Sequence, residues 1–263
     1  MSLVAQAVTF LFVPANRPER FTKAAASGAD AIILDLEDAV QQDAKDAARA
    51  ALAAGFTDLP VLVRINGEGT PWHADDVAAV ANLPFAAIVV PKAEIGEGLA
   101  ALAATGRWPI LPLIETARGL SQARTIAGLA GVERLAFGSI DFCADLGCAH
   151  TREALLAARS ELVLASRLAG RVGPIDGVTT TIDDAALVAS DARHALELGF
   201  GAKLAIHPRQ IEAMRSGFAP QPAEIDWAEK ALSSKDGAAA VDGAMVDEPV
   251  RIRARLILAR AAR

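Results

Sequence analysis

Short apolar runs alternate with amphipathic, alanine-rich stretches along most of this chain, and this alternation constrains the fold more than any other feature. Such runs are typical of parallel strands that are buried on both faces, with helices between them. Eight units of this kind predict a closed (β/α)₈ TIM barrel, because an open, doubly wound sheet usually has fewer strands. The predicted strands are Val8–Val13, Ala31–Leu36, Val61–Ile65, Ala86–Val90, Ile110–Ile114, Arg134–Phe137, Gly177–Thr179 and Lys203–Ile206. Helices are predicted at Arg20–Ser27, Ala44–Ala54, Asp75–Leu83, Gly98–Ala104, Leu120–Ala130, Arg152–Leu168, Asp184–Leu198 and Arg209–Gly217.

The segment after the predicted barrel does not continue this alternation. We expect residues 1–219 to form the barrel and residues 220–263 to form a C-terminal helical extension of the same domain. The extension has helix candidates at Glu224–Leu232 and Pro249–Ala262, joined by a small-residue linker at Ser233–Ala240. Spacing alone leaves two roles open: a cover for the bottom of the barrel, or a lid over its catalytic face, in this chain or in a neighbouring subunit.

Composition excludes several classes of partner and compartment. The length of 263 residues is typical of one α/β barrel domain. The formal net charge of −6 argues against nucleic acid or an anionic membrane as a partner, since either requires clustered Lys and Arg. Cys143 and Cys148 indicate reduced thiols rather than a disulfide scaffold, and the apolar run Val4–Val13 is too short to span a bilayer. We therefore expect a cytoplasmic protein.

Polar residues follow most of the predicted strands at the point where each strand ends. In a barrel these positions share one face, which carries the catalytic residues. Each residue taken singly is as well explained by capping a helix or pairing with a neighbour, but several acids and cations at independent strand ends indicate a site for a metal and an anion. These residues are Asp35, Glu37, Asp38, Arg64, Asn66, Lys92, Glu115, Ser139, Asp141 and His207.

Glu115 and Asp141 are the candidate metal ligands, because they follow the neighbouring fifth and sixth strands. Mg²⁺ is a hard cation that takes one or two protein carboxylates and completes its octahedron with water and substrate oxygens. The alternative use of the two residues is as a proton donor and acceptor pair, but nothing near them in the sequence indicates separated environments. The pattern favours magnesium.

Arg64 is the candidate anion-binding cation, one residue beyond the apolar run Val61–Val63. A guanidinium at this position can form the planar, bidentate contact that carboxylates and enolates require. A structural role is also open, because Glu37 on the neighbouring strand can pair with Arg64 and hold its planar group in place. The two roles are compatible.

Several longer motifs identify a family. The chain resembles the citrate lyase β-subunit-like branch of the HpcH/HpaI aldolase and malyl-CoA lyase family, and the matches run nearly from end to end. They include Leu11-Phe12-Val13-Pro14-Ala15-Asn16-Arg17-Pro18-Glu19-Arg20-Phe21, Ile33-Leu34-Asp35-Leu36-Glu37-Asp38, Val63-Arg64-Ile65-Asn66, Val90-Pro91-Lys92, Pro112-Leu113-Ile114-Glu115-Thr116, Phe137-Gly138-Ser139-Ile140-Asp141 and Asp242-Gly243-Ala244-Met245-Val246-Asp247.

The resemblance implies roles for individual residues. Glu115 and Asp141 would bind Mg²⁺, and Arg64 would contact the keto acid and the developing enolate. Asp247 would be an acid or base on a lid that closes over the neighbouring subunit, which implies a homo-oligomer, a trimer or a hexamer. Coenzyme A or a carrier phosphopantetheine would contact a set of polar residues near the mouth: Asn16, Arg17, Arg20, Lys23, Lys92 and Ser139.

The expected function is therefore Mg²⁺-dependent cleavage or formation of a 3-hydroxy-acyl thioester, such as malyl-, citramalyl- or citryl-CoA. The expected products are a 2-keto acid and an acyl thioester, with Arg64, Glu37 and Asp247 as the catalytic residues. Two alternatives of the same fold stay open, an aldolase for free hydroxy keto acids and a thioesterase or synthase. A third alternative is a non-catalytic subunit that works only within a citrate lyase-like complex.

Overall fold

The computed structural model of the chain describes residues 1–233, 239–241 and 244–262. These residues form two compact units, Met1–Gly217 and Phe218–Arg263. None of the helices in the described part of the chain has the length and apolar character that crossing a bilayer requires.

The first unit is a closed barrel of eight parallel strands in sequential order, which confirms the predicted (β/α)₈ fold. Most strand residues are buried on both faces, as the continuous apolar runs predict. The strands are β1 (Thr9–Pro14), β2 (Ala31–Asp35), β3 (Val61–Arg64), β4 (Ala87–Val90), β5 (Ile110–Ile114), β6 (Ala136–Phe137), β7 (Ile175–Asp176) and β8 (Ala202–Ala205).

Helices connect the strands on the outside of the barrel. In the first unit and across its boundary they are α1 (Leu3–Gln6), α2 (Phe21–Ala25), α3 (Lys45–Ala50), α4 (His73–Val80), α5 (Glu97–Ala104), α6 (Ala117–Ser121), α7 (Ala123–Gly128), α8 (Ser139–Leu146), α9 (Arg152–Leu168), α10 (Ala185–Leu198) and α11 (Ile211–Phe218). The helix α8 begins two residues after the end of β6 and was not predicted. Its residues Ser139 and Asp141 were expected only to follow the sixth strand. Short 3₁₀ turns precede α2, α3 and α11.

One apolar cluster fills the barrel interior, with Phe10, Ile33, Leu62 and Leu111 among its fully buried members. The short helix α1 contributes Val4 to this cluster. The interior is thus a packed core and not a channel, so ligands have access only at the strand ends.

Strand register places the candidate residues beside one another. Asp35 at the end of β2 is the partner of Arg64 at the end of β3. Ile114 on β5 pairs with Phe137 on β6, so the turns that follow these two strands are neighbours. Glu115 and the segment leading to Asp141 therefore leave the barrel side by side.

The seventh strand lies two residues earlier than predicted. The prediction of Gly177–Thr179 is wrong, because Ile175–Asp176 forms β7. The strand includes Asp176, whose carboxylate is paired with two buried cations, Arg159 and Lys203. A buried charge is tolerated in such a position when it is paired and hydrogen-bonded.

The second unit contains α12 (Pro222–Ser233), a hairpin of β9 (Ala239–Val241) and β10 (Ala244–Val246), and α13 (Glu248–Ala261). Ala228, Ala231, Val246, Ala254 and Ile257 form its own small core. Both predicted helices of the extension are confirmed. In the predicted linker, Ala239 and Ala240 belong to β9 instead, and residues 234–238 lie outside the described residues.

Candidate functional site

Arg64 is held by a bidentate ion pair at the mouth of the barrel. Its Nε lies 2.7 Å from Asp35 Oδ1 and its NH2 lies 2.7 Å from Asp35 Oδ2. The guanidinium also lies over the ring of Phe12, 4.8 Å from the centroid. Burial alone would raise the pKa of Asp35, but the charge and hydrogen bonds of Arg64 lower it below its ordinary value. Together these contacts fix the plane of the guanidinium.

The remaining amino group of Arg64 faces two further acids. Its NH1 is 3.0 Å from Glu37 Oε2 and 3.1 Å from Asp38 Oδ2. The expected pairing of Glu37 with Arg64 is therefore present, although Asp35 supplies the bidentate contact. Burial raises the pKa of Glu37, and the negative charge of Asp38 adds to the rise.

Lys92 connects this arrangement to Glu115. Its Nζ is 2.9 Å from Glu37 Oε1 and 3.9 Å from Glu115 Oε1. Its backbone N–H donates to Glu115 Oε1 at 2.7 Å. Lys92 adopts a φ of 47°, a left-handed backbone conformation that is uncommon for a residue with a side chain. Such strained conformations are often found at functional sites. We call Asp35, Glu37, Asp38 and Glu115 the acidic cluster.

Glu115 has one carboxylate oxygen without a partner. The side chain is 1% exposed, and its Oε2 is buried with no hydrogen-bond partner among the described residues. Burial and the negative charge of Glu37 raise the pKa of Glu115 to about 8. Gly138 lies so close that an added Cβ would collide with Oε2. A buried, unpaired carboxylate oxygen is costly unless a ligand completes it.

Asp141 lies in the first turn of α8 and is partly exposed. Within the described ranges, no group of three or more His, Cys, Asp or Glu side chains could hold a metal ion. A site for zinc does not fit this arrangement, because structural and catalytic zinc sites use at least three such ligands. Two carboxylates, Glu115 and Asp141, do fit Mg²⁺, which keeps several water or substrate oxygens.

A buried polar network lies beneath the acidic cluster. Lys45 Nζ donates to the carbonyls of Leu36 and Glu37 at 2.6 and 2.7 Å and to Asn66 Oδ1 at 2.7 Å. Asn66 in turn donates through its backbone N–H and its Nδ2 to Asp76 Oδ2, at 2.8 and 2.6 Å. This network fixes the backbone that carries Glu37.

The loop after β1 carries four candidate coenzyme-contacting residues together. Arg17, Arg20 and Lys23 are exposed, and Arg17 Nε pairs with Glu19 Oε1 at 2.6 Å. Asn16 Oδ1 is buried and has no hydrogen-bond partner in the described part of the chain. The segment from the end of β1 to α2 thus carries three exposed cationic side chains and one buried amide oxygen without a hydrogen-bond partner among the described residues.

Two other candidates have local partners. Ser139 is buried, and its Oγ lies 2.9 Å from His150 Nε2. Asp247 belongs to the second unit, where its Oδ1 accepts a hydrogen bond from Val250 N at 3.2 Å and caps the N-terminus of α13. The assigned roles of both residues stay predictions.

The family becomes clear when the chain is compared with known proteins. A model of the family described as HpcH/HpaI aldolase/citrate lyase matches residues 8–208. The chain belongs to this family. The resemblance inferred from the motifs is thereby confirmed.

Relatives within the HpcH/HpaI family carry more than one name. The chain is 38% identical over 276 residues to a citrate lyase subunit beta-like protein of Mycobacterium tuberculosis, covering 99% of this chain and 98% of the relative. It is 33% identical over 266 residues to a (3S)-malyl-CoA thioesterase of Cereibacter sphaeroides, covering 95% and 93%. The structure of the protein CitE from M. tuberculosis, in complex with magnesium, acetoacetate and coenzyme A, matches with a TM-score of 0.89 at 36% identity, covering 98% and 99%.

Sequence reasoning missed several residues that build the site in this family member. Asp35 was predicted to lie among the strand-end residues, but Glu37 and not Asp35 was expected to pair with Arg64. Its position opposite Arg64 in adjacent strands was the available signal. Lys45 and Asp76 lie within or beside predicted helices, and nothing in their spacing shows that they reach the strand ends.

Proposed function

We propose that this chain is a Mg²⁺-dependent carbon–carbon lyase that cleaves or forms a 3-hydroxy-acyl thioester, such as malyl-, citramalyl- or citryl-CoA. The observation that carries the proposal is the buried Oε2 of Glu115, which lacks a hydrogen-bond partner among the described residues and lies in a cluster of carboxylates. Family membership supports the general class of lyase or aldolase. The relative solved with magnesium, acetoacetate and coenzyme A supports the metal and the thioester.

Glu115 and Asp141 are the proposed magnesium ligands. When bound, the ion supplies positive charge that stabilises negative charge developing on substrate oxygens. The chain prepares Glu115 for this role, because the backbone N–H of Lys92 binds Oε1 and leaves Oε2 free. The absence of a side chain at Gly138 keeps the space beside Oε2 open.

Arg64 is the proposed contact for the keto acid carboxylate and for the charge that develops during cleavage. Asp35 holds Nε and NH2, so a ligand would reach the guanidinium at NH1, where it would replace a contact with Glu37 or Asp38. Glu37 contacts both NH1 of Arg64 and Nζ of Lys92, so the two positive charges lie close together. Both charges would then lie beside the reacting group. A charge fixed in advance stabilises the transition state without reorganisation.

Cleavage leaves an electron pair on the α-carbon of the departing acyl thioester, and this carbon must receive a proton. Asp247 is the proposed proton donor, and in the condensation direction it is the base. We propose that it acts on the site of a neighbouring subunit in a homotrimer or homohexamer.

This sharing of sites can be tested by co-expressing two inactive variants, Asp247→Asn and Arg64→Lys, with different affinity tags. Mixed oligomers purified on both tags should regain activity, because some sites combine an intact Arg64 with an intact Asp247 from the neighbour. Mixed oligomers as inactive as the two parents would contradict a shared site.

The acyl carrier is proposed to be coenzyme A or phosphopantetheine, bound by Asn16, Arg17, Arg20 and Lys23, with Lys92 and Ser139 nearer the reacting end. The exposed cations of the loop after β1 suit phosphate groups. Triple substitution of Arg17, Arg20 and Lys23 by Gln should raise KM for a thioester while leaving kcat nearly unchanged. An unchanged KM would favour an aldolase for free acids.

The function itself is tested by incubating purified protein with malyl-CoA, citramalyl-CoA and citryl-CoA, with Mg²⁺ or EDTA. The keto acid and the acyl-CoA product are measured separately. Mg²⁺-dependent release of both products from one substrate, lost in Asp141→Ala, would establish the lyase. No turnover of any thioester would contradict the proposal and favour a subunit that requires partner proteins.

A malyl-CoA thioesterase is the second candidate, since one relative with that name is 33% identical over nearly the whole chain. The same assay separates the two candidates. Free coenzyme A together with malate would indicate hydrolysis, whereas acetyl-CoA together with glyoxylate would indicate cleavage of the carbon–carbon bond.

A further inference from the structure

A cavity of about 290 Å³ lies between the segment that follows α8 and the loop that follows β7. Its walls carry polar and apolar side chains, and the polar ones include His150, Arg152, Arg159, Thr179 and Thr181. His150 connects the cavity to the turn after β6 through its hydrogen bond with Ser139. None of the functional roles proposed above uses the cavity.

Arg159, which lines the cavity, belongs to a group of three buried charged residues whose charges do not balance. Asp176 Oδ1 is 2.8 Å from Arg159 Nε, and Asp176 Oδ2 is 3.0 Å from Lys203 Nζ. Asp176 and Lys203 are 1% exposed and Arg159 is 6% exposed. One carboxylate therefore faces two buried cations, and one positive charge has no counter-charge within this group. We call these three residues the cationic cluster.

Arg159 carries the unused hydrogen-bonding capacity of this cluster. Only its Nε has a hydrogen-bond acceptor among the described residues, so its two amino groups are available. The side chain lines the cavity, and its guanidinium lies 5.7 Å from the centroid of the Phe137 ring. A guanidinium with two free amino groups is the arrangement that binds a carboxylate or a phosphate in a bidentate manner.

The other cation of the wall is already neutralised. Arg152 NH2 is 2.8 Å from Asp191 Oδ1 and 2.8 Å from Ser190 Oγ. Asp191 also accepts a hydrogen bond from Thr179 Oγ1 at 2.9 Å. The excess positive charge is therefore centred on Arg159 and not on the outer wall.

The two nearby imidazoles report the same positive potential. Burial lowers the pKa of His150, and the charges of Arg159 and Lys203 lower it further. Burial also lowers the pKa of His194, with Arg152 and Arg159 as the next causes. Burial is the first cause of both shifts, and the charge of Arg159 contributes to each, in agreement with the excess positive charge that the contacts show.

We propose that this cavity binds an oxyanion, either a carboxylate or a phosphate group, through the free amino groups of Arg159. The ligand would supply the negative charge that the cationic cluster lacks, and the hydroxyls of Thr180 and Thr181 would complete its coordination at the cavity wall. The proposal stands independently of the proposed lyase function, because it rests on groups that take no part in that mechanism.

The test is isothermal titration calorimetry of the whole protein with inorganic phosphate and, separately, with malonate, at constant ionic strength and in EDTA. We expect saturable binding of at least one anion to the wild type and to Arg124→Met, a control in which an exposed arginine is removed. Arg159→Met should weaken that binding about tenfold or more, because it removes the charge-assisted hydrogen bonds that the guanidinium would donate to the anion. Binding that is unchanged in Arg159→Met, or no saturable binding to the wild type, would overturn the proposal.

Folding of the variant is controlled in two ways. Removing Arg159 leaves Asp176 and Lys203 as a neutral pair, so Arg159→Met should keep the circular dichroism spectrum of the wild type. Arg159→Lys is tested beside it, because lysine retains the charge toward Asp176 but lacks the two amino groups. If only the lysine variant folds, weaker anion binding by it supports the proposal and unchanged binding contradicts it.

The source of the oxyanion is identified by repeating the phosphate titration with saturating malyl-CoA. Loss of phosphate binding would show that the cavity receives a group of the substrate itself. Retained binding would show that it receives a separate anion. Both results require an anion site at Arg159, and they differ only in what occupies it.

Discussion

The barrel mouth carries two groups of charges that are unbalanced in opposite directions, and each is built around buried carboxylates. The acidic cluster sets four carboxylates against two cations, Arg64 and Lys92. The cationic cluster sets two cations against the single carboxylate of Asp176. Burying an uncompensated charge costs free energy, and a ligand of opposite charge can lower that cost. The sign of the imbalance therefore indicates the sign of the ligand: a divalent cation at one group and an oxyanion at the other.

The two groups should differ most in how strongly the free energy of unfolding depends on the central carboxylate, Asp35 in the acidic cluster and Asp176 in the cationic cluster. In Asp176→Asn, two buried cations lose their only acidic partner in the cluster, and we expect a loss of about 3–5 kcal/mol in the free energy of unfolding. In Asp35→Asn, Arg64 still faces Glu37 and Asp38, so the loss should be smaller, about 1–3 kcal/mol. Urea denaturation of the two variants measures both.

Glu161→Gln is the matched control for these variants, because Glu161 forms an ion pair with the exposed Arg124. Exposed pairs contribute about 0–1 kcal/mol, so this control should change the free energy of unfolding very little. An equal loss of the free energy of unfolding in Asp35→Asn and Asp176→Asn would contradict the expected difference between the two clusters.

Arg64→Lys separates charge from geometry in the acidic cluster. Lysine retains the positive charge, but it cannot form the bidentate contact with Asp35 that fixes the guanidinium. We expect kcat to fall about 10²-fold, as after the loss of comparable electrostatic stabilisation. Steady-state kinetics with the thioester that is turned over provides the measurement, and activity within twofold of the wild type (about 0.4 kcal/mol) would exclude a role for the fixed guanidinium.

The pH dependence of the free energy of unfolding should reveal the titration of Glu115 in the acidic cluster. The pKa of Glu115 is raised to about 8 from 4.5, so between these values the folded protein holds a proton that the unfolded chain releases. In EDTA, this group should therefore make stability fall as pH rises from 4.5 to 8, with a limiting slope of about 1.4 kcal/mol per pH unit.

Urea denaturation between these pH values, on wild type and Glu115→Gln, measures the contribution of Glu115. The variant should show a flatter decline, because its amide does not titrate. Identical pH profiles would mean that Glu115 is already ionised in the folded, metal-free protein.

The apolar alternation was sufficient to predict the barrel and seven of its eight strands, because strands buried on both faces leave a strong signal in the sequence. It failed at β7, where Asp176 is buried with its partners on β8 and α9. Those partners are 17 and 27 residues away in the chain, and no local pattern connects them to Asp176.

The residues of the candidate site were likewise predicted where their position at a strand end identified them, and a feature that depends on contacts between distant residues was missed. Arg64, Glu37 and Lys92 were recognised from their positions at strand ends, and the structure brings them together with Glu115. The unpaired Oε2 of Glu115 could not be predicted, because it depends on a backbone hydrogen bond from another strand end and on the closeness of Gly138.

The central proposal is that Glu115 of the acidic cluster and Asp141 bind Mg²⁺. Isothermal titration calorimetry with Mg²⁺ on the EDTA-treated protein tests it most directly, using wild type, Glu115→Gln, Asp141→Asn and Asp75→Asn, a control at an exposed aspartate on α4. The account predicts saturable Mg²⁺ binding in the wild type and the control and a loss of at least about tenfold in affinity in the other two variants. Equal affinity in all four proteins would contradict it.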